Sequence, residues 1–74
     1  MKKESIKITG YRGRWSEIDR INRDGKNLYL MEHDTYGDMT EGLIIDDENN
    51  VVLDDVWNGF DDYFYAVETG YIEG

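Results

Sequence analysis

The segment INRDGKNLYLM, residues 21–31, contains the turn signal around which the fold is built. Its Asp24-Gly25 pair suits a two-residue type I′ turn, in which both central residues adopt a positive φ. The residues after that pair are rich in side chains that are compatible with a strand. We therefore expect an antiparallel hairpin in which Ile21 faces Leu28.

The preceding segment, residues 14–23, allows two interpretations. Trp15, Ile18 and Ile21 recur at every third position, a spacing that would also suit a helix capped by Ser16. The turn signal that follows instead requires a strand, which would pair with the segment after the turn. We favour the second interpretation and predict an irregular strand over these ten residues.

Further strands are predicted on both sides of this hairpin. Residues 5–9 alternate polar and apolar side chains, which is the period of a half-buried strand. Residues 42–46 and 51–53 are rich in β-branched side chains and flank the acidic segment 47–50, which indicates a second hairpin. We expect both of its strands to be central in the sheet.

The carboxyl-terminal segment, residues 56–69, changes to a helical period. Asp61 and Asp62 near its start favour the positive end of a helix dipole, and Gly70 lies just past its end. The pattern predicts one amphipathic helix. The apolar side chains that recur every three or four residues are Trp57, Phe60, Phe64 and Val67.

These elements predict an α+β fold, a small antiparallel sheet of four to five strands with one C-terminal helix packed on a face. We expect residues 1–74 to form a single acidic domain. A chain of this length buries only about 60% of its unfolded surface and is too short for a second core. The chain has no cysteine, so disulfides cannot stabilise it. Its core must rest on apolar side chains, including many of its ten aromatic residues.

The charge of the chain is unevenly distributed. All eight lysines and arginines lie in the first 26 residues, whereas residues 27–74 contain thirteen acids and neither lysine nor arginine. The net charge of −9 argues against nucleic acid or an anionic membrane as a direct partner. Because no apolar run approaches the roughly 20 residues that cross a bilayer, and no signal-peptide core is present, we expect a soluble cytoplasmic protein.

The sequence offers little for catalysis or for metal binding. Its serines are Ser5 and Ser16, and neither has the glycine-containing turn of a catalytic nucleophile. The second hairpin turn resembles the start of an EF-hand loop, but Val51 and Trp57 stand where that loop needs glycine and glutamate. His33 is the one histidine and cannot form a histidine cluster. We expect a non-enzymatic protein with no cofactor and no metal site.

The acids of residues 27–74 are the first candidates for a contact surface. They lack basic neighbours in sequence, so their charge must be paired by the first third of the chain or by another molecule. Excess acid can serve solubility alone. It can also imitate duplex DNA, which carries about one charge per 1.7 Å of axis. The candidate partner-binding carboxylates are Glu32, Asp34, Asp38, Glu41, Asp46, Asp47, Glu48, Asp54, Asp55, Asp61 and Asp62.

Three tyrosines complete the candidate contact residues. Tyr36 lies in the predicted loop 33–40, and Tyr63 and Tyr65 lie on the predicted helix. Because Tyr63 and Tyr65 cannot both face inward together with Phe64, we expect one or both to be exposed. An exposed tyrosine surrounded by acids is a suitable anchor for a protein partner.

Several short motifs resemble a known group of domains. They are Gly13-Arg14-Trp15, Asp24-Gly25-Lys26, Leu30-Met31-Glu32, Leu43-Ile44-Ile45-Asp46, Val51-Val52 and Asp55-Val56-Trp57-Asn58-Gly59-Phe60-Asp61-Asp62. In this order, and over most of the chain, the motifs resemble the small YodL-like and polyvalent-protein-associated domains carried by conjugative elements and phages of Gram-positive bacteria. The resemblance implies a mobile genetic element, in which small acidic stand-alone proteins include anti-CRISPR inhibitors.

Charge and resemblance together lead to two functional expectations. In the first, the domain is an anti-CRISPR-like inhibitor that blocks a basic nucleic-acid-binding protein, such as a Cas effector, by DNA mimicry. In the second, it is an accessory protein–protein interaction module of a conjugative element or phage, without mimicry, and uses its tyrosine-bearing helix as the contact. Neither expectation requires direct binding to nucleic acid.

Overall fold

The computed structural model describes residues 2–35 and 41–73. Within these residues, five strands form one antiparallel sheet in the order β1-β2-β3-β4-β5, and each strand pairs with the next along the chain. The helix packs on one face, so the predicted α+β fold is confirmed. The elements are β1 (Ile6–Lys7), β2 (Arg14–Arg23), β3 (Lys26–His33), β4 (Gly42–Ile45), β5 (Val51–Val56) and α1 (Phe60–Glu68).

The hairpin of β2 and β3 forms as predicted. Asp24 and Gly25 have φ values of 53° and 80°, so both central residues of the turn adopt the left-handed conformation of a type I′ turn. Ile21 pairs with Leu28 across the two strands. The strand interpretation of residues 14–23 is therefore confirmed, and the helical alternative is wrong.

A bulge at Ile18 explains why the sequence of β2 allowed a helix. Glu17 pairs with Met31 and Asp19 pairs with Leu30, so Ile18 has no partner in β3. Side chains alternate between the two faces of a strand, and one extra residue shifts that alternation. Glu17 and Arg20, three positions apart, consequently lie on the same face of the sheet.

Both faces of the sheet are covered by apolar side chains. We call the face against α1 the helix face and the opposite one the second face. On the second face, Ile8 and Trp15 lie over β3 and β4, and both central strands are therefore buried on both sides. The helix-face cluster is Leu28, Ile44, Leu53, Val56, Phe60, Tyr63 and Ala66. The second-face cluster is Ile8, Trp15, Tyr29, Met31, Leu43 and Ile45.

The segment before β2 spans the second face and reaches the far edge of the sheet. The Tyr11 hydroxyl donates to an Asp54 carboxylate oxygen of β5 at 3.1 Å. The Lys3 ammonium donates to the side-chain oxygen of Asn49, in the turn between β4 and β5, at 2.7 Å. These two contacts join the segment before β2 to the edge strand β5 and to the turn that precedes it.

A buried carboxylate fixes this segment to β2. Glu17 is only 5% exposed, and it receives two N–H bonds from the Arg20 guanidinium, at 3.0 and 3.1 Å. The backbone N–H of Lys3 donates to the same carboxylate at 2.6 Å, and the backbone N–H of Glu17 donates to the Lys3 carbonyl at 2.8 Å. Burial alone would raise the pKa of Glu17, but these hydrogen bonds outweigh it and lower that pKa.

Two predictions about the carboxyl-terminal half are wrong. β5 is an edge strand rather than a central one, because the chain enters α1 after it instead of adding another strand. The helix begins at Phe60 rather than near Val56, which ends β5 and leaves Trp57 exposed. The boundary is set by Asp62, whose carboxylate accepts the backbone N–H groups of Trp57 and Asn58 at 2.7 and 2.9 Å.

The buried side of α1 also differs from the predicted one. Phe60, Tyr63 and Ala66 face the sheet, whereas Phe64 is exposed. The Arg23 guanidinium lies 5.3 Å from the centre of the Phe64 ring, so this ring is covered by a cation and does not pack in the core.

Among the residues that the structure describes, no helix is long and apolar enough to span a bilayer.

We expect Glu17→Gln to destabilise the domain in a pH-dependent way. The pKa of Glu17 is lowered in the folded protein, so its stabilisation is present above the pKa of an unfolded glutamate and is lost as the pH falls through the lowered pKa. Urea unfolding near pH 7 should show a loss of about 2 kcal/mol. The difference should shrink below about pH 4.

The matched control for this variant is Glu4→Gln, which removes the same charge from an exposed side chain near the same segment. Its unfolding free energy should stay close to that of the wild type. Equal losses in the two variants would contradict a specific role for the buried carboxylate.

We expect Asp62→Ala to destabilise the domain by about 1 kcal/mol in urea unfolding, because two backbone N–H groups before the helix lose their acceptor. Asp61→Ala, at the neighbouring exposed position, serves as the control and removes the same charge. The capping role would be refuted by two variants of equal stability.

Candidate functional site

Five of the ten candidate carboxylates that the structure describes accept hydrogen bonds that serve the fold itself. Asp34 accepts the Ser5 and Ser16 hydroxyls at 2.7 and 2.6 Å, and these bonds lower the pKa of Asp34. The Asp46 carboxylate accepts two backbone N–H groups of the turn between β4 and β5, both at 2.9 Å. Acids at these positions therefore have a structural reason to be present that requires no partner.

Asp47 is held from the same turn by an aromatic hydroxyl. The Tyr29 hydroxyl donates a short hydrogen bond to Asp47, and this bond is the main cause of the raised pKa of Tyr29. The Lys3 ammonium and the Arg20 guanidinium lie 4.7 and 5.0 Å from the centre of the Tyr29 ring. Two basic residues of the first third thus lie near the acids of this turn.

The candidate acids lie in three regions of the molecule rather than on one face. In an antiparallel meander, successive connections lie at opposite ends of the sheet. Asp34 and Glu41 are therefore at one end, and the turn at residues 46–50 is at the other. Asp61 and Asp62 lie on α1. Tyr36 and Asp38 lie outside the described residues.

The two helix tyrosines differ in exposure. Tyr63 is 3% exposed and belongs to the helix-face cluster, so its ring is not available to a partner and its assignment as a contact residue is corrected. Tyr65 is 69% exposed, which agrees with the expectation that at least one of the pair faces solvent. We call the exposed residues on this side of α1 the Tyr65 surface. It consists of Asp61, Phe64, Tyr65 and Glu68.

The Tyr65 surface rests on a well-fixed helix. Asp61 lies four residues before Tyr65 and Glu68 three residues after it, so both carboxylates flank the ring on the same side of the helix. At the end of α1, the Thr69 backbone N–H and hydroxyl both donate to the Tyr65 carbonyl at 2.9 Å. The ring is thus exposed while its backbone is held.

A second candidate site opens between the segment before β2 and the end of β5. We call it the Tyr11 groove. It has a volume of about 280 Å³. Its walls combine aromatic rings with three carboxylates. The lining residues are Tyr11, Arg12, Trp15, His33, Glu41, Leu43, Asp54 and Asp55.

The aromatic wall of the groove is fixed by hydrogen bonds. The Trp15 indole N–H donates to the Arg12 carbonyl at 3.1 Å, and the Tyr11 hydroxyl is bonded to Asp54. The Tyr11 and Trp15 rings meet edge to face at 6.4 Å between centroids, and the Trp15 and His33 rings do so at 5.0 Å. These rings therefore keep their positions before any ligand arrives.

Glycine is required beside the His33 ring. A Cβ atom on Gly13 would lie 2.3 Å from the His33 Nε2 atom, and Gly13 has a φ of +77°. The opposite ring nitrogen, Nδ1, accepts the Thr35 backbone N–H at 3.1 Å. Gly13 thus leaves room for the imidazole, and the Thr35 N–H bond orients it beside Trp15.

The acidic wall of the groove carries mutual repulsion. The neighbouring charge of Asp54 is the main cause of a raised pKa at Asp55, followed by burial and by Glu41. Asp55 has a φ of +52°, in a part of β5 whose register with β4 is irregular. This irregular backbone places consecutive acids near the groove.

Sequence reasoning missed the aromatic half of this groove. Trp15 lay in the segment with two interpretations, and His33 was considered only as a possible metal ligand. Tyr11 and Asp54 are 43 positions apart, and no local pattern connects them. Within residues 2–35 and 41–73, no three His, Cys, Asp or Glu side chains are arranged to hold a metal ion.

Comparison with known proteins identifies one family. No curated protein and no solved structure gives a significant match. The family model described as large polyvalent protein-associated domain 18 matches residues 1–74. This match confirms the part of the sequence resemblance that concerns polyvalent-protein-associated domains. The chain belongs to the large polyvalent protein-associated domain 18 family.

Proposed function

We propose that this domain is a non-enzymatic accessory module of polyvalent proteins, and that it binds another protein through the Tyr65 surface. The observation that carries the proposal is a tyrosine side chain that is 69% exposed and flanked by two carboxylates on a helix. Tyrosine is enriched among residues that contribute most to protein–protein binding. Family membership supports the accessory role.

Anchoring of the helix favours binding by the Tyr65 surface. Phe60, Tyr63 and Ala66 attach α1 to the sheet, and Thr69 fixes the carbonyl of Tyr65. A tyrosine side chain on such a base loses little conformational freedom when a partner covers it. The flanking carboxylates of Asp61 and Glu68 favour a partner with a basic rim.

The alternative proposal is an anti-CRISPR-like inhibitor that acts by DNA mimicry. One observation favours it. Among the described residues, the salt bridge between Arg20 and Glu17 lies entirely within the first 26 residues, so it does not neutralise the later acids. Five described acids after residue 26 accept hydrogen bonds from hydroxyl, amide or backbone groups, which bring no positive charge. They are Asp34, Asp46, Asp47, Asp54 and Asp62. Their spread over both ends of the sheet and over α1 supports the interaction module more than it supports mimicry.

A photo-crosslinking residue should distinguish the Tyr65 surface from other exposed positions. We expect benzoylphenylalanine at position 65, introduced in cells that carry the mobile element, to give one adduct of defined mass. Benzoylphenylalanine at position 71 is the control, because Tyr71 is 76% exposed and lies beyond α1. With the partner purified, Tyr65→Ala should weaken binding by at least about tenfold.

In that purified system, Tyr71→Ala should leave the affinity unchanged. The charge variant Glu32→Lys/Glu48→Lys should do the same at physiological salt, because its acids lie outside the Tyr65 surface. The opposite pattern, with a steep salt dependence and normal binding by Tyr65→Ala, would contradict the module and favour mimicry. Purified Cas effector, with and without its guide RNA, would then be the protein to test.

A further inference from the structure

We propose that the Tyr11 groove is a binding site for an arginine side chain of a partner protein. The site is distinct from the Tyr65 surface and goes beyond the function proposed for it. Three features of the groove favour arginine: its aromatic wall, its acidic wall and its size.

The aromatic wall suits a cation. Tyr11 and Trp15 are held by hydrogen bonds, and His33 packs edge-on against Trp15. Aromatic rings attract cations through the electron density of their faces, and the attraction grows when the site excludes water. Because these rings are already in place, binding of a ligand requires little reorganisation of the groove.

The acidic wall supplies charge complementarity. Glu41, Asp54 and Asp55 carry three formal negative charges, against one positive charge from Arg12. In the described part of the chain, the Arg12 guanidinium forms no salt bridge with these carboxylates. A guest cation would relieve the repulsion that raises the pKa of Asp55.

The size and chemistry of the groove favour a guanidinium over other ligands. Its carboxylates are not arranged as a metal site within the described residues, and its volume of about 280 Å³ is larger than one metal ion needs. A nucleic-acid phosphate would meet like charge. The planar guanidinium can lie against an aromatic ring while it donates two parallel N–H bonds to a carboxylate, whereas a lysine ammonium binds as a point charge.

The test is a titration of the whole domain with three capped tripeptides, Gly-Arg-Gly, Gly-Lys-Gly and Gly-citrulline-Gly. Citrulline keeps the shape of arginine and lacks its charge. Binding is followed through the Trp15 indole N–H and the backbone amides of Asp54 and Asp55 by NMR. A Trp57→Phe background removes the other indole signal, and it should fold normally because Trp57 is exposed.

We expect saturable shifts with the arginine peptide, weaker ones with the lysine peptide and none with the citrulline peptide. The double variant Glu41→Gln/Asp55→Asn should weaken arginine binding at least about fivefold, since it removes two of three carboxylates. The matched control is Asp61→Asn/Glu68→Gln, which removes two charges from α1 and should bind as the wild type does. Urea unfolding of both variants checks that each is folded.

Three results would each overturn the arginine site. Citrulline could bind as well as arginine, the two double variants could weaken binding equally, or the shifts could lie on α1 instead of around Trp15. Tyr65→Ala keeps this test separate from the proposed function. It should leave arginine-peptide binding unchanged even though it weakens binding of the protein partner.

Discussion

The buried Glu17 carboxylate is the interaction on which the second face of the sheet depends. The bulge at Ile18 brings Glu17 and Arg20 to the same face, where the guanidinium satisfies the buried charge. A buried carboxylate is tolerated only when it is fully hydrogen-bonded, and the Lys3 backbone supplies the remaining donor. The same contacts fix the start of the segment that covers the second face.

The position of that segment determines where the Tyr11 groove can form. Ile8 packs into the second-face cluster, and Tyr11 reaches Asp54 on the far edge of the sheet. Trp15 belongs to the same cluster and forms part of the groove wall. Core packing and the candidate arginine site therefore share side chains, and a change in one is expected to alter the other.

Local signals predicted the parts of the fold that depend on neighbouring residues. Asp24-Gly25 encodes its own turn conformation, and this fixed the register that pairs Ile21 with Leu28. The helix was found from its period, but its start was misplaced. The start depends on Asp62 accepting N–H groups from residues before the helix, and the aromatic period extends through Trp57 without a break.

The remaining features of the fold and of the candidate sites depend on tertiary contacts between residues that are far apart in sequence. Strand order made β5 an edge strand, and Arg23 from β2 covers Phe64, which the periodicity had assigned to the core. For the helix tyrosines, the sequence predicted only that one or both are exposed, and the structure shows that Tyr65 is the exposed one. The Tyr11 groove could not be predicted, since its walls come from separate parts of the chain.

Hydrogen exchange of the two indole N–H groups in Glu17→Gln tests most directly whether Glu17 organises the second face. Trp15 donates to the Arg12 carbonyl, and the exposed Trp57 is an internal reference. We predict that exchange at Trp15 accelerates at least about tenfold under native conditions, beyond what the loss of global stability explains, while exchange at Trp57 stays the same. An acceleration at Trp15 no greater than the global loss would contradict the central role of Glu17.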